Sequence, residues 1–173
     1  MKIRIEEIPG EGLRLDLVEE GRALEALAGD IDFSIASPVE AHLEISRSGS
    51  VIDISGDVTA AVSMGCSRCL KEFSFRVSSS FRNRLVIGRV EEREKELTRE
   101  DMDEVVFEGE VLDTGEVILE QVVLEIPQKP LCRPYCNGLC PVCGTDLNEA
   151  RCSCARVERV DPRFAGLRGF KVK

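Results

Sequence analysis

A single histidine in 173 residues removes most of the familiar acid–base and nucleophilic chemistries. His42 falls inside a strand-like run, where a structural role is expected, and Ser78-Ser79-Ser80 have no histidine-bearing constellation around them. No glycine-rich phosphate-binding motif occurs, and the chain has no internal repeat. No apolar run approaches the roughly 20 residues of a bilayer span, so no membrane partner is expected. The opening Met1-Lys2-Ile3-Arg4-Ile5-Glu6-Glu7 turns acidic at once and has no apolar h-region of the secretory kind. With 43% hydrophobic and 32% charged residues, the composition is that of a soluble globular chain able to bury one ordinary core. A cytoplasmic, reducing location is the expectation.

Charge is unevenly placed. Residues 1–128 carry 14 Lys/Arg against 28 Asp/Glu, a net of -14, whereas residues 129–173 carry 9 against 4, a net of +5. Residues 66–90 are locally basic, with Arg68, Lys71, Arg76, Arg82, Arg84 and Arg89 against Glu72 alone. The stretch 91–125 is acidic, 14 acids against three bases. Both cysteine-bearing segments are therefore basic. Two readings stand side by side: neutralisation of anionic metal–thiolate sites, or a basic binding face.

Hydrophobic periodicity predicts a strand at Lys2–Ile5, another at Leu13–Leu17 and a short helix over Arg22–Ala28 stopped by Gly29-Asp30. Val39–Ser46 and Val51–Ser55 read as a hairpin about Ser48-Gly49-Ser50. Val58–Met64 continues the second strand after a bulge or bend at Gly56-Asp57. Phe73, Phe75 and Val77 alternate with polar residues and Phe81–Ile87 carries on, which sets Cys66 and Cys69 at a hairpin tip. Residues 91–104 read as an exposed connection and Val105–Phe107 as a short strand. Asp113 with Glu116 three residues on predicts a capped helix from about 114 to Ile126, stopped by Pro127; its β-branched residues leave strand as the alternative. The closing Asp161-Pro162-Arg163 predicts one or two helical turns. The expected fold is α+β, an antiparallel β-rich core of residues 1–130 with a few short helices. A Cys-rich, zinc-ribbon-like tail of residues 131–173 packs on it.

Eight cysteines dominate the remaining signal: Cys66 and Cys69, then Cys132, Cys136, Cys140, Cys143, Cys152 and Cys154. In a reducing location such clusters point to metal rather than to a disulfide framework. The segment from Pro130 to Cys154 lacks the apolar mass to fold unaided and needs a staple. Cys140-Pro141-Val142-Cys143-Gly144 is the stronger ligand turn, because Gly144 can take a positive φ; Cys66-Ser67-Arg68-Cys69 lacks that glycine and is the weaker. Eight thiolates make two four-coordinate sets, and two structural zinc ions are expected, with an iron–sulfur cluster as the rival. One partition groups Cys140, Cys143, Cys152 and Cys154, leaving Cys66, Cys69, Cys132 and Cys136. The other draws one set from Cys132 to Cys143 and joins Cys66 and Cys69 to Cys152 and Cys154. A redox role for Cys66 and Cys69 would want a helix N-terminus after a strand, and strands flank both sides here. An all-cysteine set argues for closed structural sites, so no enzyme and no small-molecule substrate is expected.

Cys136-Asn137-Gly138-Leu139-Cys140-Pro141-Val142-Cys143-Gly144-Thr145-Asp146-Leu147-Asn148-Glu149, with Cys152-Ser153-Cys154 and Asp161-Pro162-Arg163-Phe164-Ala165-Gly166-Leu167, resembles the bacterial large ribosomal RNA subunit accumulation protein family, the YceD-like proteins. Cys66-Ser67-Arg68-Cys69-Leu70 and the segment Asp113 to Pro127 resemble two further motifs of that family, in the same order. The resemblance implies a role in synthesis, processing or accumulation of large-subunit (23S) rRNA, hence in ribosome biogenesis, and implies no known reaction. Taken with the charge pattern, the expectation is a non-enzymatic factor whose metal aligns two basic segments against rRNA or a large-subunit ribosomal protein. Arg68, Lys71, Arg133 and Arg151 are the candidate phosphate contacts. The alternative is an acidic adaptor or chaperone for a basic ribosomal protein, without RNA contact.

Overall fold

The computed structural model describes residues 1–29, 31–88 and 104–154, with positions 163 and 166. The expected connection over 91–104 and the expected turns after Asp161 fall almost wholly outside the described residues.

Alternation of apolar and polar residues builds one six-stranded sheet. Its strands are β2 (Leu13–Glu19), β3 (Phe33–Ile35), β4 (Val39–Ser48), β5 (Val51–Gly65), β6 (Glu72–Ile87) and β7 (Glu104–Phe107), in the order β2-β4-β5-β6-β7. β3 lies beside the far end of β5, in line with β4, pairing Phe33 with Met64 and Ile35 with Val62. Pro38 interrupts that line, and the Ser37 hydroxyl accepts the Ala61 N–H (3.0 Å) across the gap. A small second sheet pairs β1 (Lys2–Arg4) with β8 (Val111–Asp113). Two helices, α1 (Gly21–Ala28) and α2 (Thr114–Glu125), complete the α+β fold.

One face of the sheet is the core. Val39, Ala41, Leu43 and Ile45 of β4 lie beside Ile52, Ile54, Val58 and Val62 of β5, all buried, each Val, Leu or Ile contributing about 1.5–3 kcal/mol of burial. Helix α2 covers them with Ile118, Leu119 and Val122, and Leu24 of α1 completes the layer. The Asp113 carboxylate caps α2 by accepting the Gly115 N–H (2.9 Å), as the sequence predicts. Strand β1 locks this end of the helix, because Met1 O accepts the Thr114 N–H (2.9 Å).

Two expectations change. The sheet is antiparallel except at its edge, where β7 pairs parallel to β6, with Arg84 opposite Glu104 and Leu85 opposite Val105. Nor does β5 bend at Gly56-Asp57: it runs unbroken from Val51 to Gly65. Gly56 serves instead as a point of close approach, for a Cβ there would lie 2.2 Å from His42 O.

The other face is open and polar. Across it run Arg14–Glu44 (2.9 Å), Arg84–Asp53 (3.0 Å) and His42–Asp16 (2.6 Å). The hydrogen bond to Asp16, aided by the charges of Asp16, Asp57 and Glu40, raises the His42 pKa above its ordinary 6.5. Protonated His42 therefore favours the folded state below about pH 6.5, and that contribution fades as pH rises through the higher folded-state value. His42 is the chain's only histidine, so its ring resonances can be followed by NMR without assignment. We expect a midpoint above 6.5 that falls back toward it in Asp16→Asn; an unchanged midpoint would show that Asp16 does not hold the ring.

Candidate metal centre

The two cysteine turns share one geometry. In the β5–β6 tip, the Leu70 N–H donates to Cys66 O (2.9 Å) and the Cys66 N–H to Lys71 O (2.9 Å). In the tail, the Gly144 N–H donates to Cys140 O (2.9 Å) and the Cys140 N–H to Thr145 O (2.8 Å). Each turn ends in a left-handed residue, Gly144 at φ 72 and Leu70 at φ 62. The missing glycine after Cys69 thus does not prevent the turn, because Leu70 adopts the strained conformation in its place. An L residue there costs about 1–2 kcal/mol, and Leu70 recovers little by burial, being 71% exposed. Leu70→Gly exchanges that strain for a glycine entropy cost of about 0.5–1 kcal/mol. Its thermal midpoint is expected to rise by up to about 4 °C, and a β-branched Leu70→Val should lower it; a lower midpoint for the glycine variant would refute the strain account.

The sulfurs fall into the first of the two partitions raised by the spacing. Cys66, Cys69, Cys132 and Cys136 form one group, and Cys140, Cys143, Cys152 and Cys154 the other; within each, all four sulfurs lie within 4.8 Å of one another. In the first group Cys66 Sγ stands 3.8 Å from Cys136 Sγ, and Cys69 Sγ 3.7 Å from Cys132 Sγ. These separations are far beyond the roughly 2.05 Å of a disulfide. They match the edge of a tetrahedron, about 3.8 Å, that follows from metal–sulfur bonds of about 2.3 Å. A polynuclear cluster would place iron and sulfide between the cysteines and spread them wider. Both groups thus have the shape to hold one four-coordinate ion. The first is sealed, with Cys66 and Cys136 each 1% exposed, whereas Cys143 of the second is exposed.

The electrostatics fit a cation. Backbone N–H groups of Cys132 and Cys69 bring the Cys66 thiol down to about 6, and the Thr145 hydroxyl, 3.1 Å from Cys143 Sγ, does the same for Cys143. Burial works against a thiolate at Cys136, but the Asn148 amide, 3.3 Å from its Sγ, the Gly138 N–H and the neighbouring Cys69 and Cys132 together outweigh it and lower the pKa. Other members resist ionisation. Burial and the neighbouring sulfurs push Cys132 up to about 12, and the hydrogen-bonded Cys143 does so for Cys154. Four adjacent thiolates repel one another, and a divalent ion at their centre removes that repulsion.

Contacts beyond sulfur bind tail to core. The Ser67 N–H donates to Pro130 O (2.8 Å), the Leu139 N–H to Arg68 O (3.1 Å), and the Arg68 guanidinium to Cys136 O (2.8 Å). Lys71 pairs with Asp146 (3.0 Å) and with Glu149, which together raise its pKa. Of the four candidate phosphate contacts, Arg68 and Lys71 are thus already engaged in this seam. Arg133 and Arg151 are exposed. The seam also uses residues that the sequence reading passed over. Asp146 Oδ1 accepts the Asn148 N–H (2.8 Å) and its side-chain amide (2.7 Å), and Asn148 Oδ1 accepts the Asn137 N–H (2.7 Å). The signal was present as Asp146-Leu147-Asn148, a turn-forming spacing in which an Asx side chain meets the backbone two residues on.

Away from this region, a depression of about 430 Å³ on the open sheet face is lined by Asp16, His42, Asp57 and Arg82 among others. No helix among the described residues is long and apolar enough to cross a membrane.

Fold and site together define a class: an α+β protein in which a four-cysteine cage ties a strand-hairpin tip to a Cys-rich tail. The chain belongs to the YceD family, described as large ribosomal RNA subunit accumulation proteins, whose family model matches residues 54–171. An uncharacterized protein of Mycobacterium tuberculosis is 33% identical over 156 residues, 90% of this chain and 66% of its own length. The chloroplastic large ribosomal RNA subunit accumulation protein YCED homolog 1 of Arabidopsis thaliana is 27% identical over 151 residues, 74% of this chain and 47% of its own. Its Zea mays counterpart is 24% identical over 143 residues, 68% of this chain and 49% of its own. The chain thus spans about half to two thirds of the length of these relatives. No solved structure matches it.

Proposed function

We propose that the protein is a non-enzymatic ribosome-biogenesis factor that supports accumulation of large-subunit rRNA by binding it through a metal-braced basic surface. The observation that carries this reading is the composition of the first cage, whose ligands come from residues 66–69 and 132–136. A zinc ion held there would clasp a basic tail onto the basic β5–β6 tip, with residues 1–130 as core and 131–173 as tail. The second cage would order the loop that carries Arg151. Zinc supplies no reaction here; as a closed four-thiolate ion it supplies rigidity. Arg133 and Arg151 are exposed and unpaired among the described residues and would meet phosphates, with Arg68 and Lys71 holding the surface together.

The test is salt-dependent binding of the full chain to large-subunit rRNA fragments, with metal content measured by elemental analysis. Affinity should fall steeply with salt, and each of Arg133→Gln and Arg151→Gln should reduce the slope by about 0.7 for a single-stranded contact. Two zinc per chain are expected. An unchanged slope in the double variant would remove the basic surface from the account. Binding to a basic ribosomal protein with none to RNA would favour the adaptor reading, and iron in place of zinc would replace the cofactor.

A further inference from the structure

Aromatic side chains are scarce in this protein: there is no tryptophan, one tyrosine and seven phenylalanines. Phe33, Phe73, Phe75, Phe81 and Phe107 pack against the core. Tyr135 does the opposite. It is 89% exposed and is the one exposed aromatic residue among those described. Leaving so large a ring in water forgoes the burial that every other described aromatic achieves.

Its position is also well fixed. Arg133, Pro134 and Tyr135 form a turn closed by the hydrogen bond from the Cys136 N–H to Arg133 O (3.1 Å). Both ends of the turn, Cys132 and Cys136, belong to the sealed cage, and Pro134 fixes its own φ near -65°. A ring carried on such a turn loses little freedom when it is covered, which is the economy that preorganised contacts exploit. Arg133 is exposed beside it, with no ion pair or hydrogen-bonding side-chain partner among the described residues. An exposed ring beside a guanidinium that pairs with no described residue offers an unstacked base a face and its phosphate a cation. Bases within a duplex stay stacked on one another and offer no free face.

We propose that Tyr135 is a stacking platform for an unpaired base of single-stranded RNA, with Arg133 on the neighbouring phosphate. The proposal rests on the RNA-binding reading above and specifies its substrate as unpaired rather than duplex RNA. The central rows of the open sheet face, Arg14, Glu44, Ser55 and Arg82, then Asp16, His42, Asp57 and Ser80, carry no tyrosine or phenylalanine, and their one ring, His42, is held by Asp16 (2.6 Å).

The test compares a labelled oligouridine of about 12 nucleotides, within the footprint of small single-strand binders, with a duplex RNA of equal length. The whole 173-residue chain is used in its metal-loaded state. Single strands should bind more tightly. Tyr135→Ala should weaken them by roughly 5- to 100-fold with the salt slope unchanged, since no charge is lost, and Tyr135→Phe should restore binding. Arg133→Gln should lower the slope instead. Unchanged metal content and thermal midpoint in Tyr135→Ala exclude a folding defect. As the only tyrosine in a chain without tryptophan, Tyr135 also reports directly, and its emission should be quenched on stacking. If the wild type binds single strands and Tyr135→Ala binds them equally well, the stacking proposal is wrong while the RNA-binding reading stands. If the wild type binds neither RNA, both fall. If Tyr135→Ala weakens only a protein partner, the platform recognises protein and the proposal is overturned.

Discussion

Replacing Cys66 with serine should halve the metal content and release the tail from the core. Serine supplies no thiolate, so the first cage keeps three ligands, and the cross-link that a bound ion would make between distant segments is lost. That cross-link joins residues 63 and 70 apart in sequence, Cys69 to Cys132 and Cys66 to Cys136. Closing a loop of that size restricts the unfolded chain by about 4 kcal/mol in the chain-entropy picture. In a domain of this length such a loss lowers the thermal midpoint by roughly 8–16 °C. Cys143→Ser should also lose one ion, but the second cage closes only a short loop inside the tail, Cys140 to Cys154. A loop of that length is worth about 3 kcal/mol in the same picture, so the midpoint should fall by roughly 6–12 °C, while the tail keeps its seat on the core. Elemental analysis, calorimetry and limited proteolysis check the pair. Chymotryptic cleavage after Leu131 or Tyr135, neither of which precedes a proline, should appear early in Cys66→Ser and late in Cys143→Ser. Equally early cleavage in the two variants, or two ions retained by Cys66→Ser, would count against the clasp.

Much of this arrangement could be read in the residues. The alternation in Val39–Ser48 and Val51–Gly65 marks strands because one face of each is buried, and the pattern survives in the observed burial. The hairpin tip at Cys66 and Cys69 and the capped helix after Asp113 followed from equally local chemistry. What escaped was non-local. The parallel pairing of β7 depends on a crossover that local periodicity does not encode. The three-residue strands β3 and β8 are too short to show a period. Leu70 is the most instructive case, because the residue type argues against the left-handed conformation that the metal turn imposes. There the cage and its N–H donors outweigh an intrinsic preference. The engagement of Lys71 by Asp146 and Glu149 was equally hidden, since it joins residues far apart in the chain, 78 in the case of Glu149. Charge counting alone cannot tell a cation that faces solvent from one already neutralised.

Substituting alanine at Gly138 should produce the second large loss, and for a different reason. Gly138 sits at φ 73, its carbonyl accepts the Leu147 N–H (2.9 Å), and the next residue donates to Arg68 O (3.1 Å). A Cβ at this position would lie 2.9 Å from Arg68 O and 3.2 Å from Arg68 Cβ. The obstacle is backbone of the metal turn itself and cannot swing aside as a flexible side chain would. Two costs therefore add: about 1 kcal/mol of left-handed strain and about 2 kcal/mol for displacing packed structure. The midpoint should fall by roughly 6–12 °C. Gly144→Ala provides the internal comparison, because Gly144 has nearly the same φ, 72, and nothing within 4 Å of the added carbon. It should lose only the strain, roughly 2–4 °C. Gly138→Ala should keep both ions, since no sulfur is touched, yet bind single-stranded RNA less well as the turn carrying Arg133 and Tyr135 shifts against the tip. If both glycine variants lose stability equally, the close approach to Arg68 contributes nothing. The tail would then be seated by its thiolates alone, and the seam around Arg68 and Lys71 would follow from metal binding rather than help to direct it.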